Sequence, residues 1–207
     1  MSEKANFSNI YRFYDLINTF LTFGFDKSWR DKAVNNLTGN SVLDLGSGTG
    51  AAFEHLINYR TTAIDPDKKM LELNKFENKI QGSAENLPFR DNSFDNVFCS
   101  FVWRNLSDTN KALDEIYRVL RPGGKFVLLD MTRPKNSFLK ILHKIGTFTV
   151  LHFIGLLTFN LKEYRFLYRS LDFYPQPEDH LKKDNFIDLK IERMGLFNFV
   201  YLAIFTK

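Results

Sequence analysis

The segment Val42-Leu43-Asp44-Leu45-Gly46-Ser47-Gly48-Thr49-Gly50 constrains this chain more than any other. Ser41–Leu45 is a short apolar run of the kind that forms a strand buried on both faces. Three glycines at alternate positions follow. Residues without a Cβ are needed where a backbone turns sharply or comes close to a ligand. The spacing is G-x-G-x-G and lacks the further residue of the dinucleotide pattern G-x-G-x-x-G. Asp44 stands just before the turn, where a carboxylate repels a pyrophosphate and attracts an ammonium or sulfonium cation. The competing reading is a plain glycine-rich turn between a strand and a helix.

The same strand-then-helix alternation continues along the chain. Thr61–Asp65 reads as a strand with Pro66 opening a helix, Lys79–Gly82 as a weak strand, and Phe94–Val102 as a strong one. Residues 108–120 are amphipathic, with Ala112, Leu113, Ile116, Val119 and Leu120 on one face. Arg121-Pro122-Gly123-Gly124 reads as a tight turn into a strand over Lys125–Met131. Such alternation predicts an α/β fold with a doubly wound, mostly parallel sheet. Two helices are expected before it, over 9–22 with Ser8 as cap and over 26–37. Helix is expected from 136 to about 172. Phe186–Arg193 and Phe197–Thr206 read as an antiparallel hairpin turning at Met194–Gly195, on the sheet edge.

A chain of 207 residues suits a single domain with a large core. Its parts are N-terminal helices (7–37), a core (40–132), a helical segment (134–173) and C-terminal strands (186–206). Cys99 alone excludes an internal disulfide and a cysteine-rich zinc site, and the four histidines show no metal spacing, so no metal is expected. A net charge of +4 is too mild to imply nucleic acid. The charge is uneven, however. Residues 133–169 carry Arg133, Lys135, Lys140, Lys144, Lys162, Arg165 and Arg169 against Glu163 alone, a surplus of six positive charges. This stretch also holds the longest apolar run, Ile145–Phe159, short of the roughly 20 residues a span requires. The N-terminus shows no apolar signal segment, so a cytoplasmic protein is expected. Of the 22 phenylalanines, ten follow residue 134.

The candidate ligand-binding residues sit where strands should end. In an open α/β sheet, ligands lie outside the carboxyl ends of the strands. Besides Asp44, Gly46, Ser47, Gly48, Thr49 and Gly50, these are Asp65 and Pro66 after the second strand. Asp65 is placed to accept hydrogen bonds from two ribose hydroxyls, unless it or Asp67 is a helix cap. Ser83, Ala84 and Glu85 belong to a loop suited to a flat adenine. Phe101, Arg104 and Asn105 end the fourth strand. Arg104 and Asn105 are catalytic candidates, against a surface charge and a turn former.

Together these residues resemble a class I S-adenosylmethionine-dependent methyltransferase. Tyr14-Asp15-Leu16-Ile17-Asn18, Phe23–Arg30, Ala84–Phe89, Ser93-Phe94-Asp95 and Phe101–Asn105 resemble the ubiquinone/menaquinone biosynthesis C-methyltransferases, the UbiE type. So do Tyr164, Phe166, Leu167, Ser170 and Tyr174-Pro175. The likeness spans about 7 to 205. Two departures stand out: Ser83 where the family commonly has aspartate, and Phe197-Asn198-Phe199 where it has Gly-Gly-Ile. The spans after Gly50 and Asp65 also look trimmed.

The resemblance implies a Rossmann-like methyltransferase fold with a seven-stranded sheet, S-adenosyl-L-methionine as cofactor, and methyl transfer to a ring carbon of a demethylated, prenylated quinol. It places Arg104 and Asn105 beside the quinol oxygen, with Tyr14 closing over the site. Residues 138–171 become a lid over the prenyl chain, with Phe148, Leu151, His152, Gly155 and Phe159 on one helical face. Phe148, Phe153, Phe159, Phe166, Phe197 and Phe199 are candidates for contact with that chain. The basic surplus beside the lid implies peripheral docking on an anionic membrane surface. The oligomeric state is left open, a homodimer included. The alternatives are a methyltransferase for another small molecule or lipid headgroup, and a non-catalytic S-adenosylmethionine-binding protein.

Overall fold

The computed structural model describes Thr22 and residues 24–157, 161–181 and 185–207. The helix expected over 9–22, and Tyr14 within it, fall outside the described residues except for Thr22. Five parallel strands form most of one sheet: β1 (Ser41–Leu45), β2 (Arg60–Asp65), β3 (Lys79–Gln81), β4 (Phe94–Ser100) and β5 (Leu120–Met131). Two more, β6 (Asp188–Met194) and β7 (Val200–Thr206), complete it. The spatial order is β3-β2-β1-β4-β5-β7-β6, with β7 antiparallel to both β5 and β6. The order reverses between β1 and β4, which opens a crevice at their carboxyl ends.

Helices cover both faces, and strand alternation decides what each face buries. Leu43, Leu45, Val97, Cys99, Phe126 and Leu128 face one core. There α4 (Thr109–Val119) lays down Ala112, Leu113, Ile116 and Val119. Asp108 caps α4 by accepting from the amides of Asn110 and Lys111 at 3.1 and 3.0 Å. Val42, Phe98, Val127 and Leu129 face the other core, against Trp29, Ala33 and Val34 of α1 (Asp26–Val34). By the same alternation Asp44 projects toward the α1 face and Asp130 toward the α4 face.

The crossovers on the cofactor half are short: α2 (Phe53–Leu56) and α3 (Lys68–Leu73) have four and six residues. This matches the trimmed spans expected there. After β5 come α5 (Ser137–Leu157), α6 (Leu161–Phe173) and α7 (Pro177–His180). One arginine pins the first two to the sheet. Arg133, 2% exposed, donates from Nε to Asp172 (3.0 Å) on α6, from Nη1 to Thr147 (2.7 Å) on α5, and from Nη2 to the Tyr168 carbonyl (3.3 Å). Its guanidinium also lies 4.8 Å from the Tyr168 ring centroid. His143 faces Nη1 at 3.3 Å; burial and the Arg133 charge lower its pKa to about 4, so it is a neutral acceptor at pH 7. Arg133, counted above with the basic surplus, is therefore a buried structural cation.

Several boundaries differ from expectation, each for a backbone reason. α1 ends at Val34, not 37, with Asn35 as cap. β4 stops at Ser100 because Phe101 has φ 61°, a left-handed conformation that no strand continues through. Leu120 already pairs with Phe94, so Arg121–Gly124 is an excursion inside β5 rather than a turn before it. The C-terminal hairpin turns over Gly195–Phe199 and not at Met194–Gly195. Gly195 (φ 75°), Phe197 (φ 61°) and Asn198 (φ 58°) are all left-handed, so β7 cannot begin before Val200. The β6–β7 pair itself lies at the sheet edge as expected, joined to β5 through β7.

Phe126 is fully buried, with ring centroids of Trp103 and Phe205 at 5.4 and 5.2 Å. Phe126→Ala should cost about 3–5 kcal/mol through lost transfer energy and a cavity. Urea denaturation with an unchanged m-value checks this, and a loss below about 1 kcal/mol would show a core that collapses into the space.

Candidate active site

The glycine turn after β1 is held from three sides. Gly46 and Ser47 donate their amides to the Ile64 carbonyl of β2 at 2.8 and 3.1 Å. Gly46 has φ +69°, and a Cβ there would lie 2.5 Å from Val102, so the position excludes any side chain. Gly50 is closed by Asn74, whose Oδ1 would sit 2.8 Å from a Cβ. Asn74 is buried, and its amide donates to the Ser47 hydroxyl and to the Gly48 carbonyl (3.0 Å). Thr49 completes the turn, partly exposed.

Asp65 ends β2 facing this turn. Its Oδ2 accepts from the Gly48 amide at 2.9 Å and its Oδ1 from the Asp67 amide at 2.8 Å. Asp67, not Asp65, is the helix cap: it accepts from the Lys69 and Met70 amides at 2.9 and 3.4 Å. That leaves each Asp65 oxygen a second lone pair for hydroxyls. Burial pushes the Asp65 pKa up to about 6, against the two amide hydrogen bonds that lower it. Pro66 is exposed beside it and accepts from Gln81 through its carbonyl.

Asp44 is 2% exposed, and its Oδ2 has no hydrogen-bond partner. Burial raises its pKa to about 7; the Arg30 charge works against this, and Asp65 adds to it. A buried carboxylate oxygen without a partner is costly, so such groups call for explanation. Arg30 is the nearest compensation. It comes from α1, is 3% exposed, and pairs with Asp26 at 2.6 Å, which also accepts from Thr22 at 3.1 Å. Its Nε lies 3.5 Å from the Ser100 hydroxyl, and its guanidinium sits 5.1 Å from the Phe101 ring centroid.

The loop after β3 is organised by Glu85. The Ser83 hydroxyl donates to Glu85 Oε2, while Oε1 accepts from the Ser107 and Asp108 amides at 3.0 and 3.4 Å. Partial burial opposes the charge, but the Ser83 and amide hydrogen bonds outweigh it and hold the carboxyl below its usual range. Glu85 thus ties the loop after β3 to the loop before α4. Ala84 is buried under it.

Phe101, 1% exposed, turns the chain sharply out of β4 into a one-turn 3-10 helix, Trp103–Asn105. A left-handed phenylalanine stores on the order of 1–3 kcal/mol, a strain characteristic of functional sites. The turn carries Arg104 into the protein rather than onto its surface. The Arg104 side chain is 4% exposed and forms an ion pair with Asp130 of β5, itself fully buried. Asp130 also accepts the Arg104 amide at 2.9 Å, and Nη1 reaches the Phe101 carbonyl at 3.2 Å. Next to it, Asn105 has a buried Oδ1 that accepts no hydrogen bond.

The glycine turn, Asp44, Asp65 and Phe101 lie at the carboxyl ends of β1, β2 and β4, and Arg104 follows Phe101 but turns to Asp130 on the α4 face. Asn74, Asp130, Asp26 and the positioning role of Arg30 were not expected. The expected face of α5 divides: Leu151 and Gly155 pack inward, with a Cβ at Gly155 3.1 Å from Leu161 and Tyr164, while Phe148 and His152 stack on each other at 3.8 Å. Phe199 is core, edge-on to Trp29; Phe197 is half-buried; Phe153 is exposed. Phe159 and the Phe166 side chain lie outside what is described. Among the described residues, no group of three or more His, Cys, Asp or Glu is placed to hold a metal.

The donor set fits S-adenosylmethionine. An unpartnered carboxylate oxygen suits its cationic end, the Asp65 lone pairs suit a ribose, and Gly48, whose Cβ would have no neighbour closer than 3.6 Å, leaves room beside Asp65. Comparisons with known proteins agree. Residues 3–189 match the model of the ubiE/COQ5 methyltransferase family. The chain is 37% identical over 195 residues to the ubiquinone/menaquinone biosynthesis C-methyltransferase UbiE of Rickettsia bellii, covering 84% of this chain and 78% of that protein. It is 34% identical over 214 residues to the Rickettsia felis UbiE, covering 91% and 86%. In fold it is similar to a SAM-dependent methyltransferase of Thermotoga maritima, with TM-score 0.72, 21% identity and 97% of each chain covered. A SAM-dependent methyltransferase of Aquifex aeolicus gives 0.57 at 17% identity, covering 96% and 97%. The chain belongs to the ubiE/COQ5 methyltransferase family and is a methyltransferase that uses S-adenosylmethionine.

Proposed function

We propose that this enzyme methylates a ring carbon of a demethylated, prenylated quinol in ubiquinone or menaquinone biosynthesis. The observation that carries the reading is the buried pair Arg104–Asp130 beside an Asn105 oxygen with no partner. The two Rickettsia relatives, named ubiquinone/menaquinone biosynthesis C-methyltransferases, support the same acceptor class. S-adenosylmethionine supplies, when bound, a methyl group already activated by its sulfonium. The chain must then hold the ring in line and make its carbon electron-rich.

Asp44 faces the cation from below the glycine turn, and Asp65 takes the ribose hydroxyls. Ser83 donates its proton to Glu85, so its oxygen serves the adenine amine as an acceptor. Arg104 lowers the pKa of the acceptor phenol and stabilises its oxyanion, with a water taking the proton. Asp130 sets the guanidinium plane and prevents it from swinging away. Asn105 Oδ1 accepts from a ring hydroxyl, and Tyr14 closes over the ring. α5 and α6 cover the prenyl chain.

Removing Arg104 alone would strand the Asp130 charge in the core, at a cost of about 3–5 kcal/mol. Arg104→Gln with Asp130→Asn removes both charges together. That pair should keep its thermal midpoint and bind S-adenosylhomocysteine within a few-fold of wild type. Its turnover on a short-chain demethylmenaquinol should fall about 10²–10³-fold. Equal losses of binding and turnover, seen by calorimetry and a methyl-transfer assay, would remove Arg104 from the chemistry.

Asp44 generates a pH dependence with a definite sign. Its folded pKa of about 7 lies above the ordinary carboxyl value of 3.8, so between the two the folded, ligand-free protein holds a proton the unfolded chain has lost. Stability conferred by that proton is complete below the lower value and is lost as pH rises to about 7, then levels off. Asp65, raised to about 6, adds to the lower part of this slope. Asp44→Asn should therefore flatten the fall in thermal midpoint between about pH 6 and 7. Cofactor binding should run the opposite way. Wild-type affinity for S-adenosylmethionine should rise over that interval as the carboxylate ionises, and Asp44→Asn should bind at least about tenfold more weakly with little pH dependence. Unchanged affinity in the variant would show that Asp44 does not face the cation.

A further inference from the structure

α5 is turned inside out compared with an ordinary surface helix. Three of its polar residues point inward: His143 and Thr147 meet Arg133, and Lys144 reaches Asp172 at 3.1 Å. Its outward face carries Phe138, Ile141, Leu142, Ile145, Phe153 and Leu156, between 46% and 72% exposed. At 100° per residue these six fall within about a third of the helix circumference, along roughly 27 Å of its length. Single exposed apolar residues mean nothing, but a stripe of this extent, interrupted by Thr149 and His152, marks an interaction surface. The helix cannot bury the stripe by rotating, because rotation would strip the buried Arg133 guanidinium of Thr147 and His143.

We infer that the outward face of α5 seats on the surface of an anionic lipid bilayer, with the helix axis in the membrane plane. Charge selects this occupant. α5 contains no acidic residue, and Lys140 on α5 and Arg165 and Arg169 on α6 are exposed. Lys140 stands on the polar side of α5, about 160° from the centre of the stripe, as cations of an interfacial helix do where they meet anionic headgroups; a second copy seated on the stripe would leave these cations without a counter-charge. Ser137–Leu156 has the length and mean hydropathy, 1.2, to cross a bilayer. The tie from its inner face through Arg133 to Asp172 instead keeps it alongside the domain, as an interfacial helix lies. The inference leans on the proposed acceptor, since a prenylated quinol resides in the bilayer, but its test uses no acceptor and no turnover.

Full-length protein should float with vesicles of phosphatidylcholine and phosphatidylglycerol, bind phosphatidylcholine alone much more weakly, and lose binding as salt is raised. The triple variant Phe138→Ser, Ile145→Ser, Phe153→Ser should lose at least about tenfold in vesicle affinity while keeping its thermal midpoint and S-adenosylhomocysteine binding. Lys140→Glu should weaken binding to the anionic vesicles only. Phe153→Trp should shift its emission to the blue on vesicle addition and be quenched by lipids brominated near the headgroup end of the chains. Three results would overturn the inference: a triple variant that binds like wild type, a wild-type protein indifferent to anionic lipid, or a wild-type dimer in light scattering that the triple variant dissolves. The last would assign the face to a second copy. A failure of quinol methylation with vesicle binding intact would instead count against the acceptor alone.

Discussion

A carboxylate buried at the end of a central strand, with one oxygen left without a partner, is the constraint around which this molecule is arranged. Asp44 cannot reach water, and its neighbours relieve it only in part. Arg30 is brought under it by α1 and is itself committed to Asp26. Asp65, also a carboxylate, adds to the unfavourable field. A cation is the complement that the site lacks. The glycines of the turn answer a packing need, because Val102 and Asn74 occupy the space where Cβ atoms of Gly46 and Gly50 would lie. Phe101, left-handed at the end of β4, packs its ring beside the Arg30 guanidinium.

Two further buried arginines divide the remaining work. Arg104, paired with Asp130, anchors the turn that follows β4. Arg133, paired with Asp172, fixes the helices that follow β5. A buried ion pair adds little net stability, since desolvation offsets much of the attraction, but breaking one is costly. Both pairs therefore act chiefly as geometric pins. The second pin also accounts for the orientation of α5: it draws the polar side of the helix inward and leaves the apolar side out.

Local features were legible in the sequence and long-range ones were not. The glycine turn, the strand–helix alternation and the amphipathic face of α4 depend on neighbours within a few positions, and they appear where expected. Asn74 clamps a turn 26 residues away, Asp130 meets Arg104 across the same separation, and Arg133 reaches Asp172 over 39 residues. No periodicity marks such partners. The C-terminal turn was misplaced because Phe197 and Asn198 carry a strand-like pattern while adopting left-handed dihedrals. The phenylalanines split the same way. Phe94, Phe98, Phe101 and Phe126 are core; Phe138 and Phe153, beyond the basic boundary, are exposed.

The proposal at the centre is that a preorganised arginine–aspartate pair directs a methyl group to carbon. The most direct test is to supply S-adenosylmethionine labelled in its methyl group with a short-chain demethylated quinol, then locate the label in the product by NMR. The account expects a new carbon–methyl signal on the quinol ring and no methoxy signal. Label on oxygen or nitrogen, or no transfer by an enzyme that binds S-adenosylmethionine, would contradict it.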